Sequence, residues 1–484
     1  MTRLFGQNKD WEAVIGLEIH AQINSESKLF SSASTKFGEE ANMNVALFDA
    51  STPGTLPILN KYCIEQAVKT GLAINAKINK ISVFDRKHYF YPDLPNGYQI
   101  SQFYYPTVGR GVLTIELEDG SEKKIGIERI HVEQDAGKSI HDLDPKNTLI
   151  DLNRAGVGLM EIVSDPDISS PEEAVLYIKK LQLIMQYVNT CDGNMEKGNL
   201  RCDANVSVRR PGDKLGKRRE IKNLNSTSNI YNAIEYEINR QIEILESDGE
   251  IESQTRLFDA DLQETRKLRS KENAEDYRYF PDPDLIPVKL TDEYIENLKK
   301  NLPKLPDERK KEYVDYGLNH EVINNLVHDI DMGNYFERVL KNQIDAKLTA
   351  NWINKELTSR MKKKAIHSFK ECTINVEKFS ELLKCIENEE ISESAGKTVL
   401  DEMFKNYHMT PKQIIEKEEL RQISDISQIE AMIDEILAKN AAQVEKYKNG
   451  EVKLFGFFVG ESMKKSQGKA NPAVINEILK KKLS

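Results

Sequence analysis

Two short runs in the first third of this sequence place chelating side chains at every second position. They are Glu18, His20 and Gln22 in Gly16-Leu17-Glu18-Ile19-His20-Ala21-Gln22, and His131, Glu133 and Asp135 in His131-Val132-Glu133-Gln134-Asp135. On an extended strand a period of two puts each set on one face, so each run can present a row of carboxylate and imidazole donors. Either run alone also fits the wet face of an antiparallel sheet. Two more runs share the pattern, Asp151-Leu152-Asn153-Arg154 and Arg201-Cys202-Asp203-Ala204-Asn205-Val206-Ser207. Asp and Asn are poor strand residues, so their recurrence on strands argues for a task.

A hard divalent cation such as Mg2+ takes oxygen ligands, keeps several waters and bridges protein to substrate phosphates, and Glu18, Glu133, Glu161 and Asp203 are the right chemical type. Imidazole is an unusual magnesium ligand, so His20 is expected to contact phosphate, shuttle a proton or ligate a softer ion such as Mn2+ or Zn2+. Ala136-Gly137-Lys138-Ser139 follows the second run and offers small residues where a phosphate could approach. Arg86-Lys87-His88-Tyr89-Phe90-Tyr91-Pro92-Asp93 sets cations among aromatics, suited to phosphate oxygens and a stacked base or ribose; the plain alternative is an aromatic edge strand before a turn. No P-loop, no Rossmann glycine run after a strand and no kinase H-R-D or D-F-G motif occurs, so nucleotide use would need another kind of site. Nor is there a Gly-x-Ser-x-Gly elbow or a Ser/Lys nucleophile set, which leaves amide hydrolysis to a partner.

Residues 446–484 carry nine Lys against three Glu, a local excess of positive charge in a chain of net charge −10. The whole chain is not a general polyanion binder, but this end is a candidate RNA footprint. Gly456-Phe457-Phe458-Val459-Gly460 and the stretch Met463 to Pro472, with Lys464, Lys465 and Lys469, combine flexible backbone, apolar anchors and cations suited to folded RNA. A basic, solvated helix end is the bland reading.

The elements that must hold these residues are legible. Val14 to Ile23, Gly111 to Leu117, Lys124 to Glu133 and Leu200 to Val208 alternate as strands between Gly, Pro, Asn and Asp. Ser170-Pro171-Glu172-Glu173 opens a helix, and a second is expected from Ser228 to Ser247. After Pro281-Asp282-Pro283-Asp284 the alternation fades, Leu302-Pro303-Lys304-Leu305-Pro306 is a further break, and the chain turns helical; Thr410 caps a helix beginning at Pro411. The expected architecture is α+β: a large β-rich domain over 1–292, an all-helical domain over 293–410 and a small helical tail over 411–484. With 484 residues several domains are expected. No apolar run is long enough to span a bilayer, and Met1 to Asp10 carries no export or organelle signal, so the expected place is the cytoplasm. Five widely spaced cysteines without C-x-x-C read as free thiols.

The irregular runs VIGLEIHAQI, STPGTLPILN, FDRKHYFYPDLPNGYQISQF, IHVEQDAGKS, DLNRAGVGLMEIVSDPD, GNLRCDANVSVR, EIKNLNS, DYRYFPDPDL and FGFFVGESMKKSQGKANP span the chain from about residue 11 to residue 473. Through them the sequence resembles the B-subunit family of the aspartyl/glutamyl-tRNA amidotransferases. The resemblance implies a cradle-shaped domain with an ATP and Mg2+ site, a helical domain and a tail that grips tRNA. It implies that the side-chain carboxylate of Glu-tRNA(Gln), Asp-tRNA(Asn) or both is phosphorylated by ATP and then amidated. Ammonia would come from a partner amidase, with a third, small protein joining the two. Carried over by motif, Glu18, His20, Glu133, Glu161 and Asp203 would surround the metal, and His20, Lys87 and Glu133 would serve the reaction. Arg86, Lys87, Arg201 and Asn205 would face the nucleotide, and Lys464, Lys465 and Lys469 the tRNA. A non-catalytic RNA-binding module and a self-contained synthetase are the competing classes; the latter lacks its HIGH and KMSKS type signatures here.

Overall fold

The structure is a computed structural model that describes residues 10–270, 277–422, 426–466 and 469–483. The chain divides into two compact units, Met1–Pro306 and Asp307–Ser484.

In the first unit the strands are β1 (Glu12–Gln22), β2 (Ile81–Ser82), β3 (Asp85–His88), β4 (Tyr98–Ser101), β5 (Gly111–Glu116), β6 (Glu122–Gln134), β7 (Lys138–Ile140) and β8 (Leu149–Asp151). They continue with β9 (Gly158–Ser164), β10 (Leu200–Arg209), β11 (Arg219–Leu224), β12 (Gln254–Asp259), β13 (Glu264–Ser270), β14 (Phe280–Pro281) and β15 (Val288–Lys289). Eight of them form one sheet in the order β13-β12-β11-β10-β1-β9-β6-β5, and β14-β3-β4 form a small sheet. The β11–β12 pair is parallel.

Three helices close one face of the large sheet: α1 (Lys61–Ala73) packs on β6, α2 (Pro171–Tyr187) on β5, and α3 (Thr227–Glu246) on β10, β11 and β13. Alternation explains why the helices cover one face only. On β1 the side chains of Ala13, Ile15, Leu17, Ile19 and Ala21 are buried against the helices, whereas Glu18, His20 and Gln22 point to the other side. Burying Ile15, Leu17 and Ile19 contributes about 1.5–3 kcal/mol each.

Ser170 accepts the Glu173 N–H at 3.2 Å ahead of Pro171, where the sequence places the helix start. The second helix begins at Thr227 rather than Ser228, because Ser226 accepts the Asn229 N–H at 3.1 Å. The Pro411–Lys417 helix starts with a reciprocal capping box between Thr410 and Gln413.

One irregularity was not legible. The β6–β9 register shifts between Ile127 and Arg129. Ile125 and Ile127 face the core before it, Ile130 and Val132 after it. The extra residue reverses the phase of the strand, and that reversal sends His131 and Glu133 to the polar face.

The second unit is helical throughout its described residues, with a π-helical turn at Trp352–Leu357. The Pro411–Lys417 helix packs on Val376–Glu387 and Glu393–Lys405. A separate apolar cluster joins Ile429, Ile433, Phe458, Ile475, Leu479 and Leu483. The α+β class expected from the sequence is what the chain adopts. Among the described residues no helix is long and apolar enough to cross a membrane, and the five cysteines are unpaired.

The irregular segment between β1 and α1 is held by a buried ion pair. The Lys28 ammonium lies 3.0 Å from Asp49 Oδ2 and donates to the Leu152 carbonyl at 3.2 Å. Asp49 also accepts from Ser31 Oγ and the Ala46 N–H. Burial pulls the Lys28 pKa below its ordinary value against the pull of Asp49. Asp49→Ala strands a buried charge and is expected to lower stability by about 3–5 kcal/mol, read as a shift in the denaturant midpoint. The double change Lys28→Met with Asp49→Ala is expected to recover part of that loss.

Candidate active site

Register builds the site. Across the sheet Arg201 of β10 stands opposite His20 of β1, His20 opposite Glu161 of β9, and Glu161 opposite His131 of β6. Four strands thus contribute one transverse row on the polar face, with Glu18 opposite Asp203 beside it and Glu133 two residues beyond His131.

At the centre His20 Nε2 lies 3.3 Å from Glu161 Oε2 and 3.7 Å from Glu133 Oε1. From the other side His131 Nε2 lies 3.2 Å from the same Glu161 oxygen and 3.5 Å from Glu133 Oε2. Donor atoms of His20, Glu133 and Glu161 fall within 4.8 Å of one another, close enough to share one metal ion. Ser101 Oγ donates to Glu133 Oε2 at 3.0 Å and fixes that carboxylate.

Electrostatics bind this quartet tightly. Burial opposes an imidazolium at His131, but the Glu161 charge and hydrogen bonds to both carboxylates outweigh it and raise His131 to about 9. The same balance raises His20. Burial would raise Glu161, yet the two histidines hold it well below the usual carboxylate range. A divalent cation that displaces one proton from each imidazole leaves the charge of the group unchanged.

Around the quartet the expected residues separate. Glu18 accepts from Asn205 Nδ2 at 2.9 Å, and burial together with the Glu161 charge raises its pKa. Asp203 is engaged by Lys222 Nζ at 2.6 Å, and the same ammonium lies 2.9 Å from Glu220. Its charge is therefore neutralised outside the quartet. Arg201 donates to Asp135 at 2.7 Å, with Arg154 3.3 Å from the same oxygen. Arg86 is bound to Asp282 at 2.9 Å and Asp284 at 2.8 Å and lies over the Tyr98 ring. The Lys87 ammonium lies over the rings of Tyr277 and Tyr89. Tyr279 belongs to the same aromatic group, stacked on Phe103, and burial plus the Glu133 and Glu161 charges raise its pKa.

The smallness of Gly137 serves packing rather than an open approach for phosphate, because a Cβ there would meet the Asp151 and Asp93 carbonyls at 2.8 and 3.0 Å. Lys464 and Lys465 end the Leu454–Lys465 helix, Lys465 pairs with Glu435, and Lys469 follows. Asp276 of the DYRYFPDPDL run, and Gln467 and Gly468 of the tail run, lie outside the described residues. The residues not anticipated are His131 as a fourth member of the quartet, Ser101, and Lys222 with Glu220. The alternation Glu220-Ile221-Lys222 was the available signal for the last pair.

The pH response of the ion-free chain follows from these shifts. The His131 contribution is complete below its ordinary value of 6.5 and is lost as pH rises through about 9. The Glu161 contribution is present above its ordinary value of 4.5 and is lost as pH falls below it. Thermal melts in chelator are expected to show a stability maximum between about pH 5 and 6.5. His131→Gln should flatten the alkaline limb.

Comparison with known proteins accounts for both halves of the chain. A family described as GatB/GatE catalytic domain matches residues 13–296, and one described as GatB domain matches residues 334–483. The B-subunit of the aspartyl/glutamyl-tRNA(Asn/Gln) amidotransferase of Rickettsia rickettsii (strain Sheila Smith) is 53% identical over 485 residues, covering 100% of both chains. Its namesake from Pelagibacter ubique (strain HTCC1062) is 53% identical over 479 residues, covering 98% of this chain and 96% of its own. With matches in both halves and relatives of this identity aligned end to end, the chain belongs to the B-subunit family of the aspartyl/glutamyl-tRNA(Asn/Gln) amidotransferases.

Proposed function

We propose that this chain carries the activation half of a tRNA-dependent amidotransferase, a ligase that converts Glu on tRNA(Gln), Asp on tRNA(Asn) or both into the amide. The observation that carries the reading is the quartet of His20, His131, Glu133 and Glu161 on the polar face of the large sheet, with His131 and Glu133 buried and His20 and Glu161 partly exposed.

A carboxylate resists attack by neutral ammonia because its negative charge repels the nucleophile and oxide is a poor leaving group. Transfer of the ATP γ-phosphoryl group to a carboxylate oxygen gives an acyl phosphate and ADP; ammonia then forms the C–N bond as inorganic phosphate departs with the oxygen. A divalent cation, Mg2+ by family expectation, would screen phosphate charge during transfer. The carboxylates of Glu133, Glu161 and Glu18 have the donor chemistry to hold it, and Asn205 orients Glu18.

Lys87 is proposed to meet the phosphate or acyl phosphate charge, with the Tyr89 and Tyr277 rings fixing its ammonium. Arg86 and Arg201 each hold an acidic partner, so their part toward the nucleotide is orientation of neighbouring segments or exchange of partner on binding. Asp203 acts through Lys222. Ammonia would be released from glutamine by the partner amidase, linked to this chain through the third, small protein of a heterotrimer, in the cytoplasm. The tail beyond residue 411 would grip the tRNA.

Two outcomes test this. With the purified complex, ATP and misacylated tRNA, Glu133→Gln is expected to cut amide formation by about 100-fold or more even when free ammonium replaces glutamine. Glutaminase activity and tRNA binding should persist. Unchanged amidation would make the face a binding surface and end the catalytic reading. In the tail, Lys464→Ala with Lys469→Ala is expected to weaken tRNA binding and to reduce the slope of log affinity against log salt by about 2. An unaltered slope would place the RNA contacts elsewhere.

A further inference from the structure

Three guanidinium groups gather around one carboxylate on the helix-covered face of β11, β12 and β13, on the other side of the sheet from the histidine quartet. The carboxylate is that of Glu237 on α3, which is fully buried. Both of its oxygens are saturated. Oε1 accepts from Arg240 Nη2 at 2.7 Å and Gln241 Nε2 at 2.8 Å, and Oε2 accepts from Arg240 Nε at 2.9 Å and Thr265 Oγ1 at 3.0 Å. Arg256 Nε lies 3.3 Å from the same Oε2 and donates to Thr265 Oγ1 at 2.7 Å.

The third arginine, Arg219 on β11, is shut out of this arrangement. It is fully buried, and its Nη1 donates to the Arg218 carbonyl. Its Nε and Nη2 have no hydrogen-bond partner among the described residues. Those two nitrogens form one edge of the guanidinium, the pair of parallel N–H bonds with which an arginine grips an anion. An arginine keeps its charge at neutral pH, and burial, with Arg240 and Arg256 opposing Glu237, pulls Arg219 down only to about 10. Three positive charges therefore surround one negative. Glu252 also acts on Arg219, but its side chain is largely exposed and lies 3.6 Å from Lys267. Gln254 Oε1 on β12 is likewise buried without a partner, so a water between the two strands would meet the hydrogen-bonding need. It would leave the excess of charge untouched, and a buried charge without a counter-charge is the costlier of the two defects.

We propose that the Nε and Nη2 edge of Arg219 holds a monovalent anion of the chloride class, enclosed between β11, β12 and α3. A halide is a single centre that two N–H groups can satisfy. Phosphate or sulfate would bring further oxygens into a space where the donors of Arg240 and Arg256 already serve Glu237 and Thr265. The effect reaches the polar face through β11. Arg219 and Ile221 point toward the helices, and Glu220 and Lys222 point the other way, where the Lys222 ammonium engages Asp203. The anion thus fixes the strand that supplies this lysine.

The full-length chain is melted while chloride replaces gluconate at constant ionic strength, so that general screening is held fixed. The melting temperature is expected to rise by about 2 °C for each tenfold increase in chloride above its dissociation constant, and bromide should act likewise. Folded Arg219→Met, which keeps the length of the side chain and removes its charge, is expected to lose this dependence. Arg219→Lys, which keeps the charge without the paired edge, should weaken it. Sulfate and phosphate are expected to shift wild type and Arg219→Met equally, through exclusion from the protein surface. As a measurement that needs no variant, a crystal soaked in bromide should show an anomalous peak beside Arg219 Nε and Nη2. A melting temperature indifferent to the exchange of gluconate for chloride, a full response in folded Arg219→Met, or no bromide beside Arg219 each overturns the proposal. Stabilisation by phosphate or sulfate at lower concentration than chloride, lost in Arg219→Met, overturns the choice of a halide. These measurements involve neither ATP nor tRNA, so their outcome is independent of the activation reading.

Discussion

A sheet covered by helices on one side obeys a strict rule: each side chain points either into oil or into the site, and the choice alternates residue by residue. The placement of every donor described above follows from it. Ile15, Leu17 and Ile19 commit one face of β1 to the core, and Glu18 and His20 are thereby committed to the other. The same rule would have buried Glu133 among isoleucines had β6 kept its phase from Ile125 onward. The bulge near Glu128 is the local cost at which one long strand serves the core at both ends and still presents His131 and Glu133 to the quartet.

The quartet and the Lys28–Asp49 pair show two solutions to buried charge. Lys28 and Asp49 are withdrawn from water completely, satisfied by Ser31, Ala46 and Leu152, and serve to pin an irregular segment. The His and Glu quartet is also largely withdrawn, but it contains two groups that can exchange a proton for a cation. The first arrangement holds no imidazole; the second holds two.

Much of this was legible in the sequence, for reasons that particular residues make clear. β1, β5, β6 and β10 announce themselves by alternation, and α2 and the Pro411–Lys417 helix by Ser170 and Thr410 caps, because these signals are local. Glu18, His20 and Glu133 stood out for the same reason, whereas Glu161 entered by its chemical type and by the resemblance of its motif. What stayed hidden was nonlocal. Arg86 is claimed by Asp282 and Asp284, nearly two hundred residues away, and Asp203 by Lys222 across a bulged strand pair, so candidates of the right type carry different duties. His131 was visible as a face residue, but its meeting with His20 depends on β9 lying between their strands, a matter of strand order that no spacing encodes.

The central position of β1 has a consequence in time. Its two partners, β9 and β10, are paired through registers such as His20 with Glu161 and Leu17 with Ala204. During synthesis the first strand therefore leaves the ribosome long before either neighbour exists. At about 5–20 residues per second the wait, over the stretch from Gln22 to the start of β9 at Gly158, is about 7–27 s. Throughout it Ile15, Leu17 and Ile19 stand on an unpaired edge, the kind of apolar strand that recruits wrong partners. The strand that carries Glu18 and His20 is thus also one of the chain's longer exposures to wrong pairing.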